Sequence, residues 1–226
     1  TGEMLDSGFE NLEFASPNTP TADCAAIIVE TATTMFAMAN SYIDNCFFTA
    51  GAIDDTYKST GIILGALAAA NGTYEFAEYS RINGNTFGSI GGRTFELTIG
   101  ISLGSPDTSQ GGAEYKGMTG CDISYNDIRA CNIGIKIYAG EVGCTGSRIT
   151  HNHISSSEHY HGTSTYGIGF MSASADLLCF VTDNRIITQA AATAAIYNAS
   201  TGGMVQGNIV FENGTGTYAL PTIASS

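Results

Sequence analysis

The side chains best suited to chemistry are concentrated in one stretch of the sequence, residues 149–170, which reads ITHNHISSSEHYHGTSTYGIGF. All four histidines of the protein lie in this stretch, together with one carboxylate and two phenols. Imidazole and carboxylate groups can transfer protons near neutral pH, and phenols can contact sugars through both ring and hydroxyl. The residues concerned are His151, His153, Glu158, His159, Tyr160, His161 and Tyr166.

Three interpretations of this cluster remain open. The histidines can be solvated loop residues without a specific role. Alternatively, the cluster from His153 to Tyr166 lines a groove that binds a sugar polymer. A metal site is the third interpretation, because His159 and His161 would point to one side of an extended segment, with Glu158 close by. No third ligand follows from the spacing, so we predict neither a metal nor another cofactor.

The elements that must position these residues are revealed by an internal repeat. A phrase of the form apolar-x-x-Asn-x-apolar recurs at intervals of 24 to 41 residues, and a degenerate relative spans 9–14. Its period-2 apolar spacing predicts a strand, and Asn at a sharp bend tolerates left-handed backbone angles. Asn side chains stacked at such a bend can hydrogen-bond from layer to layer. The copies begin at Tyr42, Ile82, Ile123, Ile149, Val181 and Val205, and their asparagines are Asn45, Asn85, Asn126, Asn152, Asn184 and Asn208.

A second phrase, Gly or Ala followed by Ile, any residue and an apolar residue, comes after most copies of the first. Each unit is therefore two short strands in fixed order, which is typical of a solenoid. Over about 9–212 the pattern resembles the right-handed parallel β-helix proteins of the pectate-lyase-like superfamily. The copies begin at Gly61, Gly100, Gly134, Gly167 and Ala195.

The resemblance implies an all-β fold, a right-handed single-stranded parallel β-helix solenoid of about seven coils, with 1–226 forming a single domain. Helix is poorly supported, and a β-sandwich is the alternative fold. The predicted inward positions are Ile62, Leu64, Ile101, Leu103, Ile123, Ile128, Ile135, Ile137, Ile149, Ile154, Ile168, Phe170, Val181, Ile186 and Val205.

If the units stack in register, residues at the same position of the phrase form a column, and neighbours within a column are about 5 Å apart. The position after the Asn gives Asp127, His153 and Arg185 as neighbours. The position before it makes His151 and Asp183 adjacent, as a base and the group that orients it. The position four before it gives a column of alternating charge, Arg81, Asp122 and Arg148.

Glycoside hydrolysis needs two carboxyl groups, and their separation distinguishes retention from inversion. Asp127 and Asp183 would lie about 10 Å apart, which favours inversion, and Glu158 could supply the acid. A lyase, using a cation among Arg129, Lys136, Arg148 and Arg185, is the less favoured reaction. We therefore predict catalytic roles for Asp127, His153, Glu158 and Asp183, and substrate-binding roles for His151, His159, Tyr160, His161, Tyr166 and Arg185.

The composition excludes some functions. With a net charge of −13 and only eight Lys and Arg residues, the chain lacks the clustered cations of a nucleic-acid or anionic-membrane binder. It has no apolar run long enough to insert into a membrane. We expect its six cysteines to be buried free thiols, with disulfides or a metal as alternatives.

The low charge, small residues and apparent lack of caps are similar to those of bacteriophage tailspike and tail-fibre β-helices. That resemblance implies a homotrimer in the virion (phage tail) or outside the cell, which binds and cleaves a bacterial surface polysaccharide. The alternatives are a non-enzymatic structural or adhesive spike or stalk module in a homotrimer, and a monomeric polysaccharide lyase. No signal peptide is visible, and since the sequence starts at Thr1 we expect a fragment of a longer chain.

Overall fold

A computed structural model of the protein contains only β-structure and turns in the residues that it describes. None of these residues belongs to a helix that is long and apolar enough to cross a membrane. The described residues are 4–15, 24–29, 36–49, 59–64, 74–88, 97–103, 115–129, 131–137, 145–155, 166–170, 179–189, 194–198, 204–213 and 223–225.

The strands are short, and most have three to seven residues. In chain order they are β1 (Met4–Leu5), β2 (Gly8–Glu10), β3 (Glu13–Ala15), β4 (Cys24–Val29), β5 (Phe36–Ala39), β6 (Tyr42–Asp44), β7 (Phe47–Thr49), β8 (Ser59–Leu64), β9 (Tyr74–Glu78), β10 (Arg81–Asn83), β11 (Thr86–Phe87), β12 (Leu97–Leu103), β13 (Tyr115–Thr119), β14 (Asp122–Ser124), β15 (Asp127–Arg129), β16 (Cys131–Ile137), β17 (Arg148–Thr150), β18 (His153–Ser155), β19 (Tyr166–Phe170), β20 (Phe180–Thr182), β21 (Arg185–Gln189), β22 (Ala194–Asn198), β23 (Met204–Gln206), β24 (Ile209–Asn213) and β25 (Ile223–Ser225).

The strands form four sheets, and every strand pair among the described residues is parallel. Two strands that pair within a sheet come from successive turns of the chain, and we call each such turn a layer. A β-sandwich would be built from antiparallel strands, so the sandwich alternative is wrong and the architecture is consistent with a parallel β solenoid. Sheet A has the order β1-β5-β9-β13, sheet B β2-β6-β10-β14-β17-β20-β23, sheet C β3-β7-β11-β15-β18-β21-β24 and sheet D β4-β8-β12-β16-β19-β22-β25.

The core lies between the sheets and consists of one inward residue or more from each layer. The predicted inward positions are buried, apart from Val205, which is partly buried and packs against the core. The side chain of Phe170 lies outside the described residues. Phe48 stacks between Phe14 and Phe87, with ring centroids 5.0 and 4.6 Å away, so successive layers are joined by aromatic contact as well as by backbone hydrogen bonds.

The corner between sheets B and C is two residues long in each layer, and the first of the two has a left-handed backbone. The φ values at this position lie between 51 and 69° from Asn45 to Gly207. The repeated Asn is the second corner residue, so the expectation that it adopts the left-handed angle is wrong by one position. Asn45 itself is a first corner residue, and Cys46 aligns with Asn85, because Phe47 pairs with Thr86.

From Asn85 to Asn208 the second corner residues form a ladder of hydrogen-bonded amides, which are buried except for the half-buried Asn208. Asn152 Oδ1 accepts hydrogen bonds of 3.0 Å from both the backbone N–H and Nδ2 of Asn126. Asn152 Nδ2 donates in turn to the carbonyl of Ile123 at 2.9 Å and to Asn184 Oδ1 at 3.0 Å. The same pattern runs from Asn85 to Asn208, which confirms the predicted layer-to-layer hydrogen bonding.

The glycines of the second phrase are required by close approach. A Cβ on Gly134 would lie 2.7 Å from the Gly167 carbonyl oxygen and 2.5 Å from Cγ2 of Ile154. Gly61, Gly100 and Gly167 are equally crowded. The phrase therefore marks the line where sheet D passes closest to the inward side chains of sheet C.

Cys46, Cys121, Cys131 and Cys179 are buried thiols that form no disulfide, as predicted. Burial raises the pKa of the Cys46 thiol, which favours the unreactive protonated form. Cys144 and the side chain of Cys24 lie outside the described residues.

The ladder predicts a large effect for Asn152→Ala. Removing the amide deprives the Asn126 N–H and one hydrogen of Asn126 Nδ2 of their acceptor and takes a donor from the Ile123 carbonyl. We expect a loss of about 3–5 kcal/mol in the free energy of unfolding. Urea unfolding followed by circular dichroism measures it.

Asn83→Ala is the matched control, because Asn83 faces outward on β10 and is half-buried. It should change the stability by less than about 1 kcal/mol. Equal losses in the two variants would contradict the structural role of the ladder.

Candidate functional site

Four polar side chains form a grid on the outer face of sheet C. Asp127 and Arg129 project from β15, and His153 and Ser155 project from β18. Asp127 pairs with His153 and Arg129 with Ser155, so each strand contributes one side of the grid. Neighbours are spaced by about 4.8 Å between layers and about 6.6 Å along a strand. We call these four residues the sheet C grid.

Asp127 is the centre of the charged contacts in this grid. Its Oδ1 lies 3.1 Å from His153 Nδ1, and Arg129 reaches both carboxylate oxygens, with Nε at 2.9 Å and Nη2 at 2.6 Å from Oδ2. The carboxylate side chain is 29% exposed, and those of His153 and Arg129 are 35% and 46% exposed. Asp127 is therefore held by two neighbours while remaining open to solvent on one side.

Two atoms of the grid are buried without a hydrogen-bond partner: His153 Nε2 and Ser155 Oγ. Ser155 as a whole is only 4% exposed. An unsatisfied buried polar group costs about 1–3 kcal/mol, so two on one strand call for an explanation. The sequence pattern indicated no role for Ser155, although its position two residues after His153 places it on the same face of the strand.

Arg185 follows His153 in the next layer, which confirms the predicted column Asp127, His153, Arg185. The guanidinium of Arg185 is exposed and lies 5.2 Å from the ring centroid of Phe211. A cation over an aromatic face is held in place without being neutralised, so it can still contact an anionic or hydroxylated ligand.

The corner next to the grid carries an exposed aromatic stack. The rings of Tyr125 and His151 lie 5.0 Å apart with an interplanar angle of 16°, and Tyr125 is 61% exposed. Both are first corner residues, whose left-handed backbone turns the side chain outward. Tyr125 occupies the position before a repeated Asn, as His151 and Asp183 do, but the sequence pattern indicated no role for it.

Asp183 occupies the first corner position in the layer after His151 and is exposed. The two residues are adjacent in the column, as predicted, but no ion pair joins their side chains among the described contacts. The histidine with a carboxylate on its ring nitrogen is instead His153. Asp127 and Asp183 lie two layers apart and in different columns.

The remaining predicted site residues are separated from this surface or lie outside the description. Tyr166 begins β19 in sheet D, where it pairs with Ile133 and Ala194. It therefore belongs to a different sheet from His153. Glu158, His159, Tyr160 and His161 lie outside the described residues.

The other cations have distinct surroundings. The column Arg81, Asp122, Arg148 forms as predicted, but the ion pair of Arg81 is with Asp44, at 2.7 Å. The hydrogen bond to Asp44 raises the pKa of Arg81. Lys136 is only 1% exposed, so it is not presented at the surface. Among the described residues, no cluster of three His, Cys, Asp or Glu side chains could hold a metal ion.

The Asp127–His153 contact predicts the tautomer of the imidazole. When His153 is neutral, Nδ1 should carry the proton and donate it to Asp127, leaving Nε2 unprotonated. Nitrogen-15 NMR of the side chains distinguishes the two tautomers, and Asp127→Asn should lower the population of the Nδ1–H form. A resonance pattern of the Nε2–H tautomer in the unaltered protein would refute this assignment.

Comparison of the chain with protein-family models, with curated proteins and with solved structures found no significant match. The parallel sheets are compatible with a parallel β-helix, but none of these comparisons supports the more specific resemblance to pectate-lyase-like or tailspike proteins.

Proposed function

We propose that this chain is a right-handed parallel β-helix of about seven coils that binds and cleaves a polysaccharide along its outer surface. The observation that supports it best is the exposed Tyr125–His151 stack beside the Asp127–His153 pair. A flat aromatic surface suits the apolar face of a sugar ring, and the grid supplies charged hydrogen-bonding groups for its hydroxyls. The corner repeats layer by layer, which suits an extended polymer.

In this proposal the polymer is a bacterial surface polysaccharide, and the chain is the β-helix domain of a phage tailspike-like protein. It would act as a homotrimer in the virion or outside the cell. Cleavage would be hydrolysis with inversion, using Glu158 as the acid and Asp127 or Asp183 as the base, assisted by His153. His151 and Arg185 would bind substrate with Tyr125, and His159, Tyr160 and His161 would do so from the segment after β18.

The binding prediction is tested with Tyr125→Ala on a panel of bacterial surface glycans. We expect about tenfold weaker binding, which corresponds to about 1.4 kcal/mol, because the sugar loses its stacking surface. Tyr79→Ala is the matched control: Tyr79 is 62% exposed with φ 47° at the corner between sheets A and B. Equal weakening by both variants, or no binding to any glycan, would contradict the proposal.

Cleavage is followed on the same panel by reducing-end and unsaturated-uronate assays, which separate hydrolysis from elimination. Activity that survives Glu158→Gln combined with Asp183→Asn would reject the proposed carboxyl pair.

A second candidate function, a structural module in a homotrimer, is favoured by an exposed apolar patch. Phe180 and Met204 are paired in register on the outer face of sheet B, and Ile209 lies across the corner on sheet C. Their exposures are 42%, 44% and 56%. A stable interface needs about 1,000 Å² or more of buried surface, and these residues would form its apolar centre.

Sedimentation tests this second function. We expect the chain to sediment as a trimer and Met204→Lys combined with Ile209→Lys to shift it toward monomer, because a buried unpaired charge is costly. Leu5→Lys is the control, since Leu5 is 52% exposed on β1, far from the patch in strand order. A monomer at all concentrations would exclude the trimer.

A further inference from the structure

We propose that the sheet C grid is an esterase site in which Ser155 is the nucleophile, His153 the general base and Asp127 the residue that positions the imidazole. The substrate class is a carboxylic ester with a small acyl group, such as an O-acetyl substituent. This activity goes beyond the proposed polysaccharide cleavage and does not depend on it.

The arrangement of His153 is the one that base catalysis by an imidazole needs. A carboxylate on Nδ1 fixes the tautomer and the ring orientation, and Nε2 is then the basic atom. Asp127 Oδ1 is 3.1 Å from Nδ1, while Nε2 has no partner in the structure. Because Nε2 makes no other hydrogen bond, no other donor occupies the position at which it would accept the proton of a nucleophile.

Ser155 is the hydroxyl placed to supply that proton. It lies two residues after His153 on the same face of β18, about 6.6 Å along the strand. Both side chains project from the same face of the strand, and the longer imidazole can span part of this spacing. Ser155 Oγ and His153 Nε2 are not hydrogen-bonded in the resting structure, and rotation of the serine between staggered positions is part of the proposed step.

Arg129 completes the grid as the group that stabilises developing negative charge. It is directly opposite Ser155 in the neighbouring strand, and its guanidinium is held by Asp127. Of the four residues, Ser155 is the most buried, while Asp127, His153 and Arg129 are partly exposed. The burial of Ser155 Oγ and His153 Nε2 excludes large acyl groups from the site.

The chemistry balances without a cofactor. Ser155 Oγ forms a bond to the acyl carbon and gives its proton to His153 Nε2. The tetrahedral intermediate collapses, the alcohol departs with the proton from Nε2, and an acyl-serine remains. Water then attacks the acyl carbon, gives a proton to Nε2, and releases the carboxylic acid while the proton returns to Ser155 Oγ.

The experiment uses p-nitrophenyl acetate with the full chain. We expect hydrolysis above background that falls at least about 100-fold in Ser155→Ala and in His153→Gln. Ser155→Ala removes an unsatisfied hydroxyl, so it should not reduce the free energy of unfolding. Ser124→Ala is the matched control, a serine that is 2% exposed on β14, and it should retain the rate of the unaltered protein.

Two further measurements make the assignment specific. Asp127→Asn should lower kcat with little change in KM, because only the orientation of the base is lost. A fluorophosphonate probe should add to the protein once, and peptide mapping should locate it on Ser155. The proposal is overturned if hydrolysis stays at background, if Ser155→Ala retains the rate, or if the probe labels another residue or none.

Discussion

The buried amide ladder is the interaction on which the rest of the structure depends. Each ladder asparagine from Asn85 to Asn184 has hydrogen-bond partners in the layers before and after it, as Asn126 does with the Ile82 carbonyl and Asn152. A buried amide that loses such a partner is costly, so the layers can stack only in the alignment that satisfies every amide. A shift of one residue would also turn the inward face of every strand outward.

The site is a consequence of that alignment. Asp127 and His153 are 26 residues apart in the chain, yet their side chains are within hydrogen-bonding distance because their strands pair in register. The same constraint makes Arg129 face Ser155 and puts Arg185 beside His153. Outward residues make little contribution to the core, so their identities are free to serve a function once the ladder and the inward residues have set their positions.

The corner between sheets B and C has a structural role and also carries residues of the proposed site. Its first residue must adopt a left-handed backbone, which costs residues other than glycine about 1–2 kcal/mol. Gly84 and Gly207 avoid this cost, while Tyr125, His151 and Asp183 incur it at positions where the side chain is exposed. Backbone strain of this kind is concentrated at functional sites in proteins, and the exposed Tyr125–His151 stack is the part of this corner that is proposed to bind substrate.

The sequence by itself determined the strand pattern, the inward residues and the columns, because a period of two and a recurring Asn can be read without knowing the fold. It could not show whether Asn45 or Cys46 occupies the ladder position, because the apolar residues around them fit either alignment with the other copies. Nor could it identify the bond between His153 and Asp127, the unpartnered Ser155 or the burial of Lys136. These depend on side-chain direction and on what covers each face, which only the tertiary structure decides.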